Sequence, residues 1–276
     1  MNIGIVGLGL MGGSLGLALK KFGNKYHIIG YDHNPSHQKE ALLLNLVDEI
    51  SEDFEQIKSC DVIILAIPVD AIIKTAQQLQ DLPNSTTIID LGSSKAKIDE
   101  NIPPLIRHNF VTAHPMTGTE KFGPTAAVEG LYENKTMVIC NPEKSGELQR
   151  DIALKLFEDL HAKVVFMDAK EHDRHAAFIS HMPHAVSYAI ANSVLEQEDA
   201  QNIVALAGGG FKSMSRIAKS SPNMWEDIFR QNKENLLESI ESFNKEMHYC
   251  QTLLQEERWE ELHAWMLKAN TLHDIL

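Results

Sequence analysis

The chain reads as an α/β protein, with a doubly wound parallel sheet in its N-terminal part and only helices after it. Three observations predict this. Short apolar runs alternate with amphipathic segments up to about residue 165, the texture of repeated βα units. A glycine-rich turn, Gly7-Leu8-Gly9-Leu10-Met11-Gly12, follows the first apolar run and opens a helical pattern. From about Ala169 strand-like runs vanish and the pattern is helical throughout.

Taken in order, the predicted strands fall at 2–6, 27–31, 61–67, 86–91, 110–113, 136–140 and 163–166. Helical patterns lie between several of them at 14–22, 71–79 and 146–160. Residues 35–44 also read as helical, with Pro35 suited to a first turn. In the second part, 171–195 is one long candidate helix in which Pro183 is expected to make a kink. Gly208-Gly209-Gly210 breaks the chain, and Ser221-Pro222 breaks it again. Between 225 and 266, Leu236, Ile240, Phe243, Met247, Cys250 and Leu254 recur at alternating spacings of four and three. They draw one apolar seam along a long helix. A seam of that length predicts a homodimer built through the helical part; packing within one chain is the alternative. The expected domains are 1–167 and 168–276.

Composition narrows the function. A formal net charge of −13 argues against a nucleic-acid binder, which usually carries a basic face. It leaves room for an anionic small substrate, because a few convergent cations in a cleft override the global sign. Cys60, Cys140 and Cys250 are widely spaced and odd in number, and read as reduced thiols rather than a disulfide or metal framework. No apolar run approaches the ~20 residues of a membrane helix, and no signal-peptide pattern opens the chain. A cytoplasmic enzyme without membrane or nucleic-acid partners is expected.

The GxGxxG turn is a weak signal alone and a strong one in its context. It follows a strand pattern, opens a helix, and is answered by an acidic residue about 20 positions on. That residue is Asp32, at the end of the second predicted strand. Glycines permit the tight turn and close approach of the backbone to a pyrophosphate, which the helix N-terminus attracts. A carboxylate at Asp32 accepts hydrogen bonds from ribose hydroxyls and repels a 2′-phosphate, so NAD is favoured over NADP. Such a turn marks a Rossmann-type fold. Ile67 and Pro68 end the next strand, where Pro68 reads either as a wall beside the cofactor or as punctuation. In Asp90-Leu91-Gly92-Ser93-Ser94-Lys95, Ser93 stands at a strand's carboxyl end, where ligands bind in such sheets. Alternatively, Ser93 or Ser94 caps the helix that starts near Lys95.

Two further groupings hold polar chemistry. AHPMTGTEKFG places His114 at the end of an apolar run, before a loop with Thr119, Glu120 and Lys121. HDRHAAFISHMPH carries His172, His175, His181 and His184. A metal site is the sharper reading of these histidines, but no cysteine is near and no HExxH is present, so cleft-lining or helix-capping roles suit them better. Further on, Gly208–Gly210 leads to Lys212 and Arg216, and an Arg fork matches a carboxylate.

DLGSSK, AHPMTGTEKFG, SHMPHAV and GGGFKSMSRIAKSSPNMWEDIF resemble the signature blocks of the prephenate/arogenate dehydrogenase family of tyrosine biosynthesis, over essentially the whole chain. The resemblance implies NAD-dependent oxidation of the C4 alcohol of prephenate, with loss of carbon dioxide, to 4-hydroxyphenylpyruvate. It implies His114 as general base and Ser93 as a hydrogen-bonding partner of the same hydroxyl. Arg216, His184, Lys212, Glu120, Thr119 and Gly209 would bind substrate, Lys212 from a partner subunit. Some relatives carry Asp where this chain has Ser213, an Asp able to pair with the nearby Arg. The length of the chain is expected to leave no room for a regulatory module or a chorismate mutase. Arogenate is the alternative substrate. A β-hydroxyacid-type dehydrogenase is a rival enzyme, but it has no need of the HPMTGTEK loop. A catalytically silent NAD sensor would have no use for Ser93, His114 and Arg216 together.

Overall fold

The structure, a computed structural model, describes residues 1–275. Eight strands form one sheet: β1 (Asn2–Val6), β2 (His27–Tyr31), β3 (Glu49–Ile50), β4 (Val62–Leu65), β5 (Thr87–Asp90), β6 (Phe110–Pro115), β7 (Thr136–Cys140) and β8 (Lys163–Met167). Their spatial order is β3-β2-β1-β4-β5-β6-β7-β8. Helices α1 (Leu10–Lys20), α2 (Pro35–Leu43), α3 (Phe54–Lys58), α4 (Val69–Gln78), α5 (Ala96–Asn101) and α6 (Glu147–Asp159) connect them.

Strand side chains alternate between two separate cores, which is why the strands are apolar throughout. Ile3, Ile5, Val62, Ile64, Ile89 and Val111 pack with Leu15 and Leu19 of α1 and Leu156 and Phe157 of α6. Their neighbours Val6, Ile63, Leu65, Ile88 and Phe110 pack on the other side with Ile57 of α3, Ile72 of α4 and Ile98 of α5. The sheet is therefore doubly wound.

The sheet is parallel except where β6 meets β7. Between those two strands the chain makes no crossover helix, only a short 3-10 turn at Pro124–Ala126, so β7 returns antiparallel. Helix α6 then restores the crossover and β8 runs parallel to β7. Strand β3 and helix α3 were not anticipated; two and five residues are too short to show a period.

After β8 come α7 (Ala169–Ala176), α8 (Met182–Leu195), α9 (Ala200–Ala205), α10 (Gly209–Ser215), α11 (Pro222–Gln231), α12 (Lys233–Gln255) and α13 (Trp259–Asn270). The expected kink at Pro183 takes a particular form. A π-turn, Ala177–His181, joins α7 to α8, and Pro183 sits in the first turn of α8. Proline cannot bond the carbonyl four residues back, and the wider turn just before it relieves that conflict. The pattern read between 225 and 266 is likewise three helices rather than one.

Two compact units result, Met1–Asn232 and Lys233–Leu276. The change of texture at 167/168 thus marks the end of the strands, while α7 to α11 belong to the same unit as the sheet. In the second unit Leu236 is buried, and Ile240, Phe243 and Cys250 are half-buried. Met247 and Leu254 leave 50% and 49% of their surface exposed, so the seam is only partly covered. No helix of the described residues is long and apolar enough to cross a membrane.

Candidate active site

The carboxyl ends of β1, β2, β4, β5 and β6 lie along one edge, because these strands are mutually parallel. Every cofactor residue expected from the sequence falls there: Gly7 to Gly12 after β1, Asp32 after β2, Ile67 and Pro68 after β4, and Ser93 after β5. Gly7 adopts φ +93°, and a Cβ there would meet the Ala66 carbonyl. A Cβ on Gly12 would strike the Gly7 carbonyl. Gly9 differs: a Cβ there would meet nothing closer than the Gly123 nitrogen at 4.0 Å. Gly9 is also the N-cap of α1, and no side chain caps the first-turn N–H groups. Two tight glycines and one open helix start suit a pyrophosphate. Asp32 is buried; it accepts the N–H of Leu8 at 2.9 Å and that of Asn34 at 2.9 Å. His33 and His37 stand 3.3 and 3.5 Å from its carboxylate.

His114 lies inside β6, which runs two residues beyond the predicted strand end, and pairs in register with Val138. Its Nδ1 is 2.8 Å from Nε2 of His172 on α7. Nδ1 of His172 is 2.9 Å from Oδ1 of Asp173. Nε2 of His114 makes no hydrogen bond to the described residues. Burial, with His172, Lys95 and His181 nearby, holds the His114 pKa well below its ordinary 6.5.

The turn carrying Ser93 is tied to this strand by a buried ion pair. The Lys95 ammonium bonds the Asp90 carboxylate and donates to the Ala113 carbonyl at 2.7 Å. Asp90 also accepts the N–H of Gly92 at 2.9 Å and of Ala113 at 3.3 Å. Neither serine caps α5. Its start is capped by Asp173, which accepts the N–H of Lys95 at 2.7 Å and of Ala96 at 3.0 Å. That frees Ser93, half-buried and without a bond to the described residues, for a ligand; the Ser94 hydroxyl is buried and unpartnered.

The remaining predicted residues divide. Arg216 donates to Glu120 at 3.2 Å, so the loop after β6 reaches the turn after α10. The backbone at Glu120 and the Arg216 guanidinium hold the Glu120 carboxyl below its usual range. His184 donates from Nδ1 to the Ser180 carbonyl at 2.9 Å and stacks on Trp225 with ring centres 3.5 Å apart. Burial and the nearby Arg216 lower its pKa. The Trp225 indole N–H is buried with no partner. Thr119 bonds within its own loop, accepting the Lys121 N–H at 3.2 Å, while Gly209 and Lys212 are exposed on α10. Ser213, where some relatives carry an Asp able to pair with the nearby Arg, makes no side-chain bond among the described residues, and Arg216 pairs with Glu120.

His175 is exposed, His172 and His181 are buried, and no group of three or more His, Cys, Asp or Glu among the described residues is arranged to hold a metal ion. The residues that sequence patterns do not single out are Asp90, Lys95, Asp173 and Trp225, together with His172 as a partner of His114. The available signal was the adjacent His-Asp pair within HDRH, which shows its meaning only once α7 is set against α5.

A glycine turn opening a helix at the strand ends, an imidazole with one nitrogen free of the described residues along the same edge, and a guanidinium close to a second histidine are the parts of a dinucleotide-dependent dehydrogenase. Residues 15–166 match the family model described as prephenate dehydrogenase, nucleotide-binding domain, and residues 168–268 match its dimerization domain. The chain belongs to the prephenate dehydrogenase family. It is 32% identical to the prephenate dehydrogenase of Bacillus subtilis over 99% of this chain and 75% of that protein. The prephenate dehydrogenase of Aquifex aeolicus, solved with hydroxyphenyl propionate and NAD+, superposes with a TM-score of 0.92 at 33% identity, over 99% of this chain and 97% of that one. The arogenate dehydrogenase of Synechocystis gives 0.82 at 29% identity, over 99% of each chain.

Proposed function

We propose that this enzyme catalyses the NAD-dependent oxidative decarboxylation of prephenate to 4-hydroxyphenylpyruvate, with His114 as its general base. Bound NAD+ supplies the hydride acceptor. Gly7, Leu8, Gly9, Leu10, Met11 and Gly12 hold its pyrophosphate, Asp32 its adenosine ribose, and Ile67, Pro68 and Ser93 line its path along the sheet edge. The C4 hydroxyl proton passes to Nε2 of His114, and Ser93 orients that hydroxyl. Arg216 pairs with a substrate carboxylate, and His184, Glu120, Thr119, Gly209 and Lys212 complete the pocket. Loss of carbon dioxide leaves an aromatic ring, which makes the step effectively irreversible, so the protein's task is orientation and removal of one proton.

The observation that carries the role of His114 is its ring: Nδ1 is engaged by His172 and Nε2 is left free of protein partners. Its lowered pKa keeps it neutral, hence able to accept a proton, at pH 7. His114→Asn is expected to reduce NADH formation from prephenate at least ~100-fold at saturating substrate. In the parent enzyme the acid limb of kcat/KM is expected below pH 6.5, because the base is lost only on protonation. An unchanged kcat in His114→Asn would exclude this base.

We assign substrate binding and dimerisation to 168–276 and cofactor binding to 1–167. The two family models, which meet between residues 166 and 168, support that division. The half-exposed seam on α12 and the description of the second model support a homodimer. A cytoplasmic location agrees with three free cysteines, of which burial pushes the Cys60 and Cys140 thiols up to about 11 and about 12. Prephenate is preferred to arogenate here on the 32% and 34% identities to two named prephenate dehydrogenases. Steady-state kinetics with both substrates and both nicotinamide cofactors test that choice.

A further inference from the structure

We propose that Asp173, acting through His172, fixes the tautomer of His114 and shares the positive charge that forms when His114 takes the substrate proton. This rests on His114 being the base.

The argument runs from the deepest group outward. The Asp173 carboxylate is buried and accepts two backbone N–H bonds, from Lys95 and Ala96. Oδ1 and Oδ2 of Asp173 are both acceptors for those N–H groups, so Nδ1 of His172, 2.9 Å from Oδ1, donates to it. Nε2 of His172 is then an acceptor. Nδ1 of neutral His114, 2.8 Å away, must in turn be the donor. That leaves the lone pair of His114 on Nε2, the nitrogen without a protein partner. One buried carboxylate thus dictates the proton positions on two imidazoles.

The same chain moves charge. As Nε2 of His114 gains the hydroxyl proton, the Nδ1 proton can pass to Nε2 of His172, and the cation then sits 2.9 Å from Asp173. No bond to carbon is involved, and one proton enters for one that shifts. The other charged groups around the pair are the Lys95 ammonium, whose effect on a cation here is adverse, its partner Asp90, and buried His181. His181 accepts from the Asn232 amide, which also donates to the Asp173 carbonyl at 2.6 Å. Lys95 is already paired with Asp90, so the counter-charge for a cation on the histidine pair comes from Asp173, the anion that directly touches it.

His172→Ala removes the link while leaving the Asp173 cap on α5. It is expected to lower kcat with prephenate and NAD about 100-fold, with both KM values changed less than about threefold. The acid limb of kcat/KM should move to lower pH by about one unit, because losing contact with the Asp173 counter-charge outweighs relief from the neighbouring His172. His172→Gln, whose amide oxygen still accepts from Nδ1 of His114 but takes no proton, should recover part of kcat. Long-range ¹⁵N–¹H spectra of the free enzyme, with His114→Asn to assign the ring, provide a readout apart from turnover. They should show Nδ1–H on His114 in the parent and a gain of the Nε2–H form in His172→Ala. A parental kcat in His172→Ala, or an unmoved acid limb with an unmoved tautomer, would overturn the relay. If His114→Asn is inactive while His172→Ala is parental, only the relay fails; if His114→Asn is active, the base assignment fails first.

Discussion

Arg216, which we assign to a substrate carboxylate, gives a chain of net charge −13 a cation with which to hold an anionic substrate. In the free enzyme its guanidinium rests on Glu120, with 58% of the Arg216 side chain exposed. An exposed pair of this kind holds only weakly, so a ligand carboxylate can displace Glu120 at small cost. Arg216→Ala should therefore raise the KM for prephenate by about tenfold or more and leave the KM for NAD within about twofold. Equal losses in both constants would place Arg216 outside the substrate pocket. Arg216 stood out in the sequence as a candidate carboxylate partner because it follows a triple glycine and a lysine in a recognisable block. Its partner was not: Glu120 is 96 positions away, and only the fold brings the two together.

At the scale of elements, the strand ends do the positioning, and the turn from β5 to α5 is the most heavily tied of them. Lys95 and Asp90 are both wholly buried, so each charge depends on the other. Lys95→Met should cost about 3–5 kcal/mol in urea unfolding, since it strands a carboxylate in the core. Adding Asp90→Asn should recover part of that loss, and a double-mutant cycle measures the coupling. Apart from β3 and α3, the strands and their helices were visible in the sequence because each is an uninterrupted apolar run or a clear helical period. Their ends were less so. β6 continues through His114 and Pro115 because β7 supplies a hydrogen-bonding partner there, a tertiary fact with no local signature. For the same reason the start of α5 looked like a serine cap, whereas the oxygen that caps it comes from α7.

For the molecule as a whole, the apolar seam on α12 is only partly covered in a single copy. Met247 and Leu254 are half exposed along a line that begins with buried Leu236. Met247→Glu placed on that line should shift a dimer toward monomer in sedimentation equilibrium, with the near-parental circular dichroism expected of an exposed position. A dimer of parental affinity would mean that the seam is covered some other way. The alternation of four and three made the seam readable; how many helices carry it was not, because the breaks at Asn232 and near Arg258 lie among residues that suit a helix.

The cap that Asp173 places on α5 also has a meaning in time. It joins residues 78 positions apart, so during synthesis the sheet strands β1 to β6 leave the ribosome well before the oxygen that completes the Ser93 turn. Until then the first N–H groups of α5 have only water to bond, and the turn that should position a substrate hydroxyl is free to fray. A nascent chain can assemble the glycine turn and strand ends while the Ser93 turn waits for α7 to dock, and a protein that opened α7 locally would lose the His172 partner of His114 and the cap on α5 in one event.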